Sequence, residues 1–326
     1  MRRRRFISTL AGAAGWPLLA DAQQPEPTRR IGALYPFAQD DAISQAFATA
    51  FTQALGRLGW VADKNIRIDS RFAAGDLALF KQYAAELVSL APDTILASTG
   101  AAAFAVREQT RTIPIVFVIV PDPVTLGVVR NLAHPGGNIT GFASYDTSIV
   151  GKWLQLLKEA VPAVSRVAII FNPDTGFVLP LDREVAAAQF FGVTAMLAPV
   201  RDDAAIEEVI AAQAGEPGGG LICLPDSFIV VHREVIIAAA DRHHLPLISF
   251  DRIAKAGGLM SYWFDPVELH AEAASYIDRI LRGANPGDLP IQYPTKYSLI
   301  INLKTAKALG LTVPPSMLDL TDEVIE

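Results

Sequence analysis

The stretch Ile115-Val116-Phe117-Val118-Ile119-Val120, followed at once by Pro121-Asp122-Pro123, decides the fold class. An unbroken apolar run cannot alternate between a core face and a solvent face, so it predicts a strand that is buried on both sides. Strands of this kind belong to parallel sheets covered by helices. The run is also shorter than the roughly 20 residues that a membrane-spanning helix needs.

Similar short runs recur along the chain and alternate with segments of helical period, which predicts an α/β protein. A helix over residues 42–58 shows this period most clearly, because Ile43, Phe47, Phe51 and Leu55 recur on one face. The first set of predicted strands covers residues 31–35, 66–72, 94–97 and 115–120. The second set covers residues 167–171, 193–197, 220–224 and 247–250, with predicted helices at 153–161, 177–191, 204–212 and 230–242.

Helix caps and extended connectors organise these two sets into two domains. Asp203 and Ser227 are predicted helix caps, and a helix over residues 266–281 follows an extended segment at 257–262. A last helix is predicted at 303–309. We expect two Rossmann-like lobes with parallel sheets, a first lobe of residues 28–142 plus 263–290 and a second of 145–260 plus 296–326. The predicted hinge has three segments, at 141–145, 260–264 and 290–296.

Composition excludes several classes of protein. With 28 Lys and Arg against 34 Asp and Glu, the net charge is −6, so nucleic-acid binding is not expected. The single cysteine, Cys223, lies in an apolar run and reads as core, which leaves neither a disulfide nor a cysteine-based zinc site. The hydrophobic share of 51% suits a chain with large cores.

The N-terminus has the pattern of a signal peptide over residues 1–22. Four arginines, Arg2 to Arg5, precede an apolar segment, and Ala20-Asp21-Ala22 matches the small residues before a cleavage site. Arg3 and Arg4 also fit a twin-arginine signal, with an ordinary Sec signal as the alternative. We therefore expect cleavage after Ala22 and a soluble periplasmic protein. No cysteine follows the cleavage site, so no lipid anchor is expected there.

A search for enzyme chemistry yields no recognisable motif. The chain lacks a G-x-S-x-G elbow, a Walker loop and the glycines of a dinucleotide-binding turn. None of the five histidines has metal-ligand spacing; they are His134, His232, His243, His244 and His270. Trp153 shares an apolar face with Leu156 and Leu157, which predicts a core position. We expect no catalysis, no cofactor and no metal.

Two groups of motifs resemble the substrate-binding proteins of ABC transporters, in the family that includes tryptophan-type binding proteins. One group is Pro114-Ile115-Val116-Phe117, Asp122-Pro123-Val124 and the run from Leu132 to Gly141, in which His134 stands where Arg is more usual. The other is spread over residues 257–315 and includes Pro294-Thr295-Lys296-Tyr297, Ile301-Asn302-Leu303-Lys304 and Pro314-Pro315. The resemblance implies a type I periplasmic-binding fold, a small-molecule ligand, and an inner-membrane permease with its ATPase as partners.

Ligand-facing positions follow from topology, because crevices of open parallel sheets lie beyond the carboxyl ends of the strands. Ser98 and Thr99 open a predicted helix at 101–109, whose free N–H groups favour an anion; an ordinary hydroxyl cap is the alternative. Asp122 before Pro123 is a candidate to face the ligand, but a helix cap is a sufficient explanation and is favoured for its side chain. The candidate ligand-binding residues are Tyr35, Phe37, Ser98, Thr99, Asp122, Tyr145, Asn172, Asp226, Ser227 and Tyr262.

These observations predict an exported receptor, a monomer that binds a carboxylate-bearing, amino-acid-like or aromatic ligand. Two other functions remain open. A sensory partner of a membrane kinase would bind the same ligand, and neighbouring genes for a permease or for a kinase would separate the two. A two-lobed α/β enzyme would instead show turnover and catalytic carboxylates or a thiol near the cleft.

Overall fold

The computed structural model describes residues 28–174, 181–225, 227–250 and 253–326, which form two sheets flanked by helices. The first sheet is wholly parallel, with strand order β2-β1-β3-β4-β5. Its strands are β1 (Arg29–Tyr35), β2 (Ile66–Phe72), β3 (Thr94–Ser98), β4 (Ile115–Val120) and β5 (Ile139–Ala143). The helices between them are α1 (Ala42–Arg57), α2 (Leu77–Ser89) and α3 (Gly100–Gln109).

The second sheet has seven strands in the order β12-β11-β10-β9-β8-β6-β7. Its strands are β6 (Arg166–Phe171), β7 (Thr194–Pro199), β8 (Gly219–Cys223), β9 (Leu247–Ser249), β10 (Met260–Trp263), β11 (Ser298–Asn302) and β12 (Glu323–Ile325). Its helices are α4 (Ser148–Ala160), α5 (Asp182–Ala187), α6 (Asp203–Ala214), α7 (Ser227–Val231), α8 (Arg233–Arg242), α10 (Leu303–Ala308) and α11 (Pro315–Leu318). Helix α9 (Pro266–Leu281) joins β10 to β11.

The second sheet repeats the first and then extends it. Strands β7-β6-β8-β9-β10 have the same relative order as β2-β1-β3-β4-β5. Strand β11 runs antiparallel to β10, with Met260 opposite Ile301, and β12 pairs with β11 in parallel. The prediction of two parallel lobes is therefore confirmed for the repeated part, but β11 reverses direction and β12 was not expected.

The chain passes between the sheets three times. It leaves the first sheet after β5 to form α4, and returns after β10 as α9, which packs against α1 and the back of β3, β4 and β5. On its way to β11 it runs beside β5, where the Ala143 N–H donates to the Gln292 carbonyl at 2.8 Å. These passages lie in or beside the three segments that the sequence predicts as a hinge.

Glycine is required where β5 meets β4. Gly141 has φ +153°, and a Cβ atom there would lie 2.1 Å from the backbone oxygen of Phe117. Any side chain would therefore push the two strands apart.

Several helix ends differ from the predictions because local period does not fix caps. Asp202, not Asp203, caps α6, since its carboxylate accepts from the Ala205 N–H at 2.8 Å. The helix predicted at 230–242 is two helices that break at His232. Of the helix predicted at 177–191, residues 177–180 lie outside the described residues, and the rest is α5 followed by the 3-10 helix Ala188–Phe191.

Other predictions are confirmed. Helix α9 has the predicted bounds, with Asp265 as its cap and Pro266 at its first position. Trp153 is fully buried, and its indole N–H donates to the Tyr262 carbonyl at 2.9 Å. Within the described ranges, no helix is long and apolar enough to cross a membrane.

Candidate functional site

Backbone strain is concentrated where the strands of the first sheet end. Ala74 follows β2, Thr99 follows β3, and Ile119 and Asp122 lie at the end of β4; all four have positive φ values between 25° and 93° without being glycine. This conformation costs on the order of 1 to 3 kcal/mol per residue and persists mainly where the surroundings impose it, typically at functional sites. The carboxyl edge of the first sheet is therefore the primary candidate site.

The junction of β3 and α3 presents the start of a helix to this edge. Thr99 is the N-cap residue, with φ 93° and ψ 164°, and its N–H donates to the Val118 carbonyl at 2.8 Å. Its side chain makes no capping bond, and Oγ1 is buried without a hydrogen-bond partner. The alternative of an ordinary hydroxyl cap is therefore wrong. The first N–H groups of α3 lack partners within the helix and carry partial positive charge, which suits an anion.

The Ser98 side chain forms a hydrogen bond with a histidine that lies far away in the sequence. Its Oγ lies 2.8 Å from Nε2 of His270 on α9, and both side chains are fully buried. Nδ1 of His270 lies 2.6 Å from the Pro266 carbonyl. Because a carbonyl only accepts, Nδ1 carries the proton, and Nε2 of the neutral ring accepts from the Ser98 hydroxyl. Burial lowers the pKa of His270 to about 4, which keeps the ring neutral near pH 7.

Aromatic rings surround this histidine. Phe47 of α1 stacks on it with ring centres 3.9 Å apart, and Phe37 lies 6.4 Å from Phe47. Tyr35 stacks on Phe72 at 5.2 Å, and burial raises the pKa of the Tyr35 phenol, so it is neutral at physiological pH. The end of β1 is thus an apolar, aromatic wall.

A cavity of about 370 Å³ lies between the two sheets, beside this wall. Elements of the first sheet contribute Phe47 and its neighbours on α1, together with the start of α9 at Pro266. The second sheet contributes Arg233 and Phe250. The other lining residues are Ala42, Ile43, Ala46, Val230, Ile253, Lys255, Ala256, Asp265 and Val267.

The remaining candidates are spread along both carboxyl edges. The half-buried Asp122 does not cap a helix; its carboxylate accepts from the Thr125 N–H at 3.1 Å in a turn, and its own N–H donates to the Tyr145 carbonyl. Asn172 is buried after β6, where its side-chain oxygen accepts from the Asp174 N–H. Asp226 and the side chain of Ser227 lie outside the described residues.

The two connector tyrosines do not lie together. Tyr145 packs on Trp263 with ring centres 5.4 Å apart, whereas Tyr262 stacks on Tyr297 at 5.4 Å. Tyr262 and Trp263 are neighbours on β10, so their side chains point to opposite faces of the sheet. Trp263 therefore belongs to the face that Tyr145 covers.

Sequence reasoning missed Phe47 and His270 as site residues. The available signal was His270 itself, because it occupies a core position on the apolar stripe that also contains Leu269, Ala273 and Ile277. A buried titratable side chain in such a stripe calls for a fixed hydrogen-bond partner. No group of three or more His, Cys, Asp or Glu side chains in the described part of the chain could hold a metal ion.

Comparisons with known proteins agree with this architecture. A family model described as "ABC transporter substrate binding protein" matches residues 33–325. A tyrosine-binding protein from Clostridioides difficile is 26% identical over 264 residues, which cover 80% of this chain and 75% of that protein. A conserved domain protein from Vibrio cholerae superposes with a TM-score of 0.84 at 27% identity, covering 91% of this chain and 99% of the other.

A domain from Streptococcus pneumonia solved in complex with L-Trp superposes with a TM-score of 0.82 at 21% identity, covering 91% of this chain and all of that one. The fold is that of the type I periplasmic binding proteins, as the sequence predicts. The family match spans nearly the whole described chain. The chain belongs to the ABC transporter substrate-binding proteins.

Proposed function

We propose that this protein is an extracytoplasmic receptor that binds an amino-acid-like ligand, bearing a carboxylate and an aromatic part, between its lobes. It delivers the ligand to an ABC permease in the inner membrane, which works with its ATPase. The observation that carries the proposal is the uncapped start of α3, where the Thr99 hydroxyl is buried without a partner beside an aromatic wall. The names of two relatives, a tyrosine-binding protein and an L-Trp complex, support the same ligand class.

Each part of the ligand has a matching group. The N–H groups of the first turn of α3 and the Thr99 hydroxyl bind the carboxylate. Tyr35, Phe37 and Tyr145 cover the apolar part, and Asp122 or Asp226 pairs with the amine. Asn172 and Ser227 complete the polar contacts from the second lobe. Ser98 supports the carboxylate end, and Tyr262 belongs to the connectors.

Calorimetry with a small ligand series tests the proposal. L-Tyrosine, L-tryptophan and L-phenylalanine are compared with their carboxamides, which lack the negative charge, and with neutral sugars. Thr99→Val keeps the side-chain shape and removes the hydroxyl, so we expect about tenfold weaker binding of the amino acid. Thr112→Val, at an exposed position beyond α3, is the matched control and should leave binding unchanged. Equal affinity for acid and carboxamide would refute the carboxylate site.

Ligand binding is proposed to close the lobes about the segments at 141–145, 260–264 and 290–296. These are the places where the chain changes sheets, and few residues are needed to absorb such a rotation. Small-angle scattering should show a smaller radius of gyration at saturating ligand. A radius that stays constant with a ligand of proven affinity would contradict the hinge.

Export is proposed to follow the signal at residues 1–22, which lies outside the described residues. Mass spectrometry of the exported protein should find Gln23 at its N-terminus. Replacing Arg3 and Arg4 by Lys should block export by the twin-arginine route, whereas unchanged export would indicate the Sec route.

Sedimentation of the mature protein should give the mass of a monomer.

A further inference from the structure

We propose that His270 is a positioning residue of the ligand site, which holds the β3–α3 junction in its binding conformation through Ser98. The inference rests on the proposed function, because it assigns that junction to the ligand carboxylate. His270 does not touch the ligand in this arrangement. It acts on Ser98, and Ser98 acts on the backbone of Thr99.

The Pro266 carbonyl determines which ring nitrogen of His270 donates and which accepts. The Pro266 carbonyl accepts from Nδ1–H at 2.6 Å, so Nε2, 2.8 Å from Ser98 Oγ, is an acceptor. The Ser98 hydroxyl therefore donates to His270 and cannot donate to a ligand carboxylate. Ser98 is also fully buried. Its contribution to an anion site has to be indirect.

The strained residue next to Ser98 explains what this bond is for. Thr99 has φ 93° although it is β-branched, a conformation that holds only where neighbouring contacts impose it. Two contacts flank it: its own N–H bond to the Val118 carbonyl, and the Ser98 bond to His270. Together they fix the end of β3 to β4 on one side and to α9 on the other.

The histidine is itself fixed by residues that line the cavity between the sheets. Phe47 covers its ring at 3.9 Å, and Pro266 accepts its Nδ1 proton. Both residues line the 370 Å³ cavity. The chain of contacts from the cavity wall through His270 and Ser98 to Thr99 is continuous, and its Ser98–His270 bond is fully buried.

Binding of L-tyrosine, the probe used here, is measured for four variants. His270→Phe keeps a ring against Phe47 but removes the acceptor, Ser98→Ala removes the donor, and the third variant combines them. We expect each single change to weaken binding about tenfold. The double variant should be no weaker than either single one, because both remove the same link. The fourth, His134→Gln in an exposed turn, is the control and should bind like the unaltered protein.

His270→Gln supplies an amide oxygen as a replacement acceptor and should recover part of the affinity. It also serves if the His270→Phe variant does not fold. Additive losses in the double variant, or unchanged affinity in folded single variants, would overturn the proposal, since side chains that merely fill the core would give one of these results.

A second measurement needs no ligand and separates this inference from the proposed function. Amide hydrogen exchange at Thr99 and along the first turn of α3 should become faster in His270→Phe and in Ser98→Ala, and stay unchanged in His134→Gln. If the unaltered protein binds no amino acid, the proposed ligand is wrong, and the exchange result alone decides the role of His270. Unchanged exchange at Thr99 in both variants overturns that role.

Discussion

The two sheets share one strand order but differ at their carboxyl edges. The first sheet ends in a strained edge with Ala74, Thr99, Ile119 and Asp122 at positive φ. In the described part of the second lobe, His244 is the non-glycine residue with positive φ, and it precedes β9 at the opposite edge of the sheet. Within the described residues, the two sheets therefore share a topology but differ in backbone strain at their strand ends.

The two sheets also differ in their edge strands. The first stops at β5, whereas the second continues into the reversed strand β11 and into β12. The antiparallel strand brings the chain back after α9 and attaches the C-terminal residues to the second lobe. The second sheet gains its extra strands from the connections between the lobes rather than from another βα repeat.

The largest difference in stability between the two sheets is expected from glycine-to-alanine substitutions. In Gly141→Ala the new Cβ meets the Phe117 backbone at 2.1 Å, which cannot move away without opening β4 and β5. We expect a loss on the order of 3 to 5 kcal/mol in the free energy of unfolding. In Gly220→Ala of the second sheet the nearest atom is a Leu157 methyl group at 3.1 Å, which can rotate, so about 1 kcal/mol is expected. Urea unfolding of both variants measures the contrast, and equal losses would show that the two sheets are packed with equal rigidity.

Acid should weaken the first lobe through His270. Burial lowers the pKa of its folded state to about 4, against 6.5 for an unburied histidine, while the Pro266 carbonyl and the charge of Asp265 act in the opposite direction. The unfolded chain therefore binds a proton before the folded protein does. This contribution is fully present above pH 6.5 and is lost as the pH falls to 4, by about 3 kcal/mol in total.

Urea unfolding at pH 7, 5.5 and 4.5 measures this slope. His270→Gln removes the titrating group and should flatten the slope. An equal slope in the His270 variant would assign acid sensitivity to other groups.

Relief of backbone strain at the carboxyl edge of the first sheet should raise stability and weaken ligand binding. Relief of strain elsewhere should affect stability only. Thr99→Gly removes the β-branched side chain from φ 93°, so we expect about 1 kcal/mol of added stability together with about tenfold weaker ligand binding. Ala91→Gly is the matched control, since Ala91 has φ 46° in an exposed turn away from the site. It should add a similar or smaller amount of stability and leave binding unchanged. Thr99→Val also lacks the hydroxyl but keeps the β-branched side chain, so if Thr99→Gly binds no more weakly than Thr99→Val, the strain has no functional role.

The smallest expected effect concerns the extension of the second sheet. Lys255 and Glu323 form an ion pair at 2.6 Å, with side chains 40% and 45% exposed. Exposed pairs contribute little, so Glu323→Gln should change stability by less than about 0.5 kcal/mol. Thermal unfolding in low and high salt checks this. A larger loss would mean that charge, rather than apolar packing, holds β12 in place.

Sequence patterns located most elements because those patterns are local. Strands β2 and β4 have the predicted bounds, since each is an apolar or alternating run ended by turn residues, and α9 has its predicted start because Asp265 and Pro266 form a cap. The caps of α6 and the break at His232 were missed. Neighbouring acidic residues are equivalent as caps in the sequence, and a helical period continues through a one-residue break.

The sequence by itself determined the class of the protein: two βα lobes, the apolar face of each helix, and the strand ends at which a binding crevice is expected. Only the tertiary structure decided the chemistry of the site. Ser98 meets a histidine 172 positions away, so its proton is directed to α9 rather than to the crevice. Thr99 takes a strained backbone that its own preference opposes, because hydrogen bonds from two other elements impose it. Local propensity specifies elements, whereas donor direction and backbone strain depend on groups that meet only once the chain has folded.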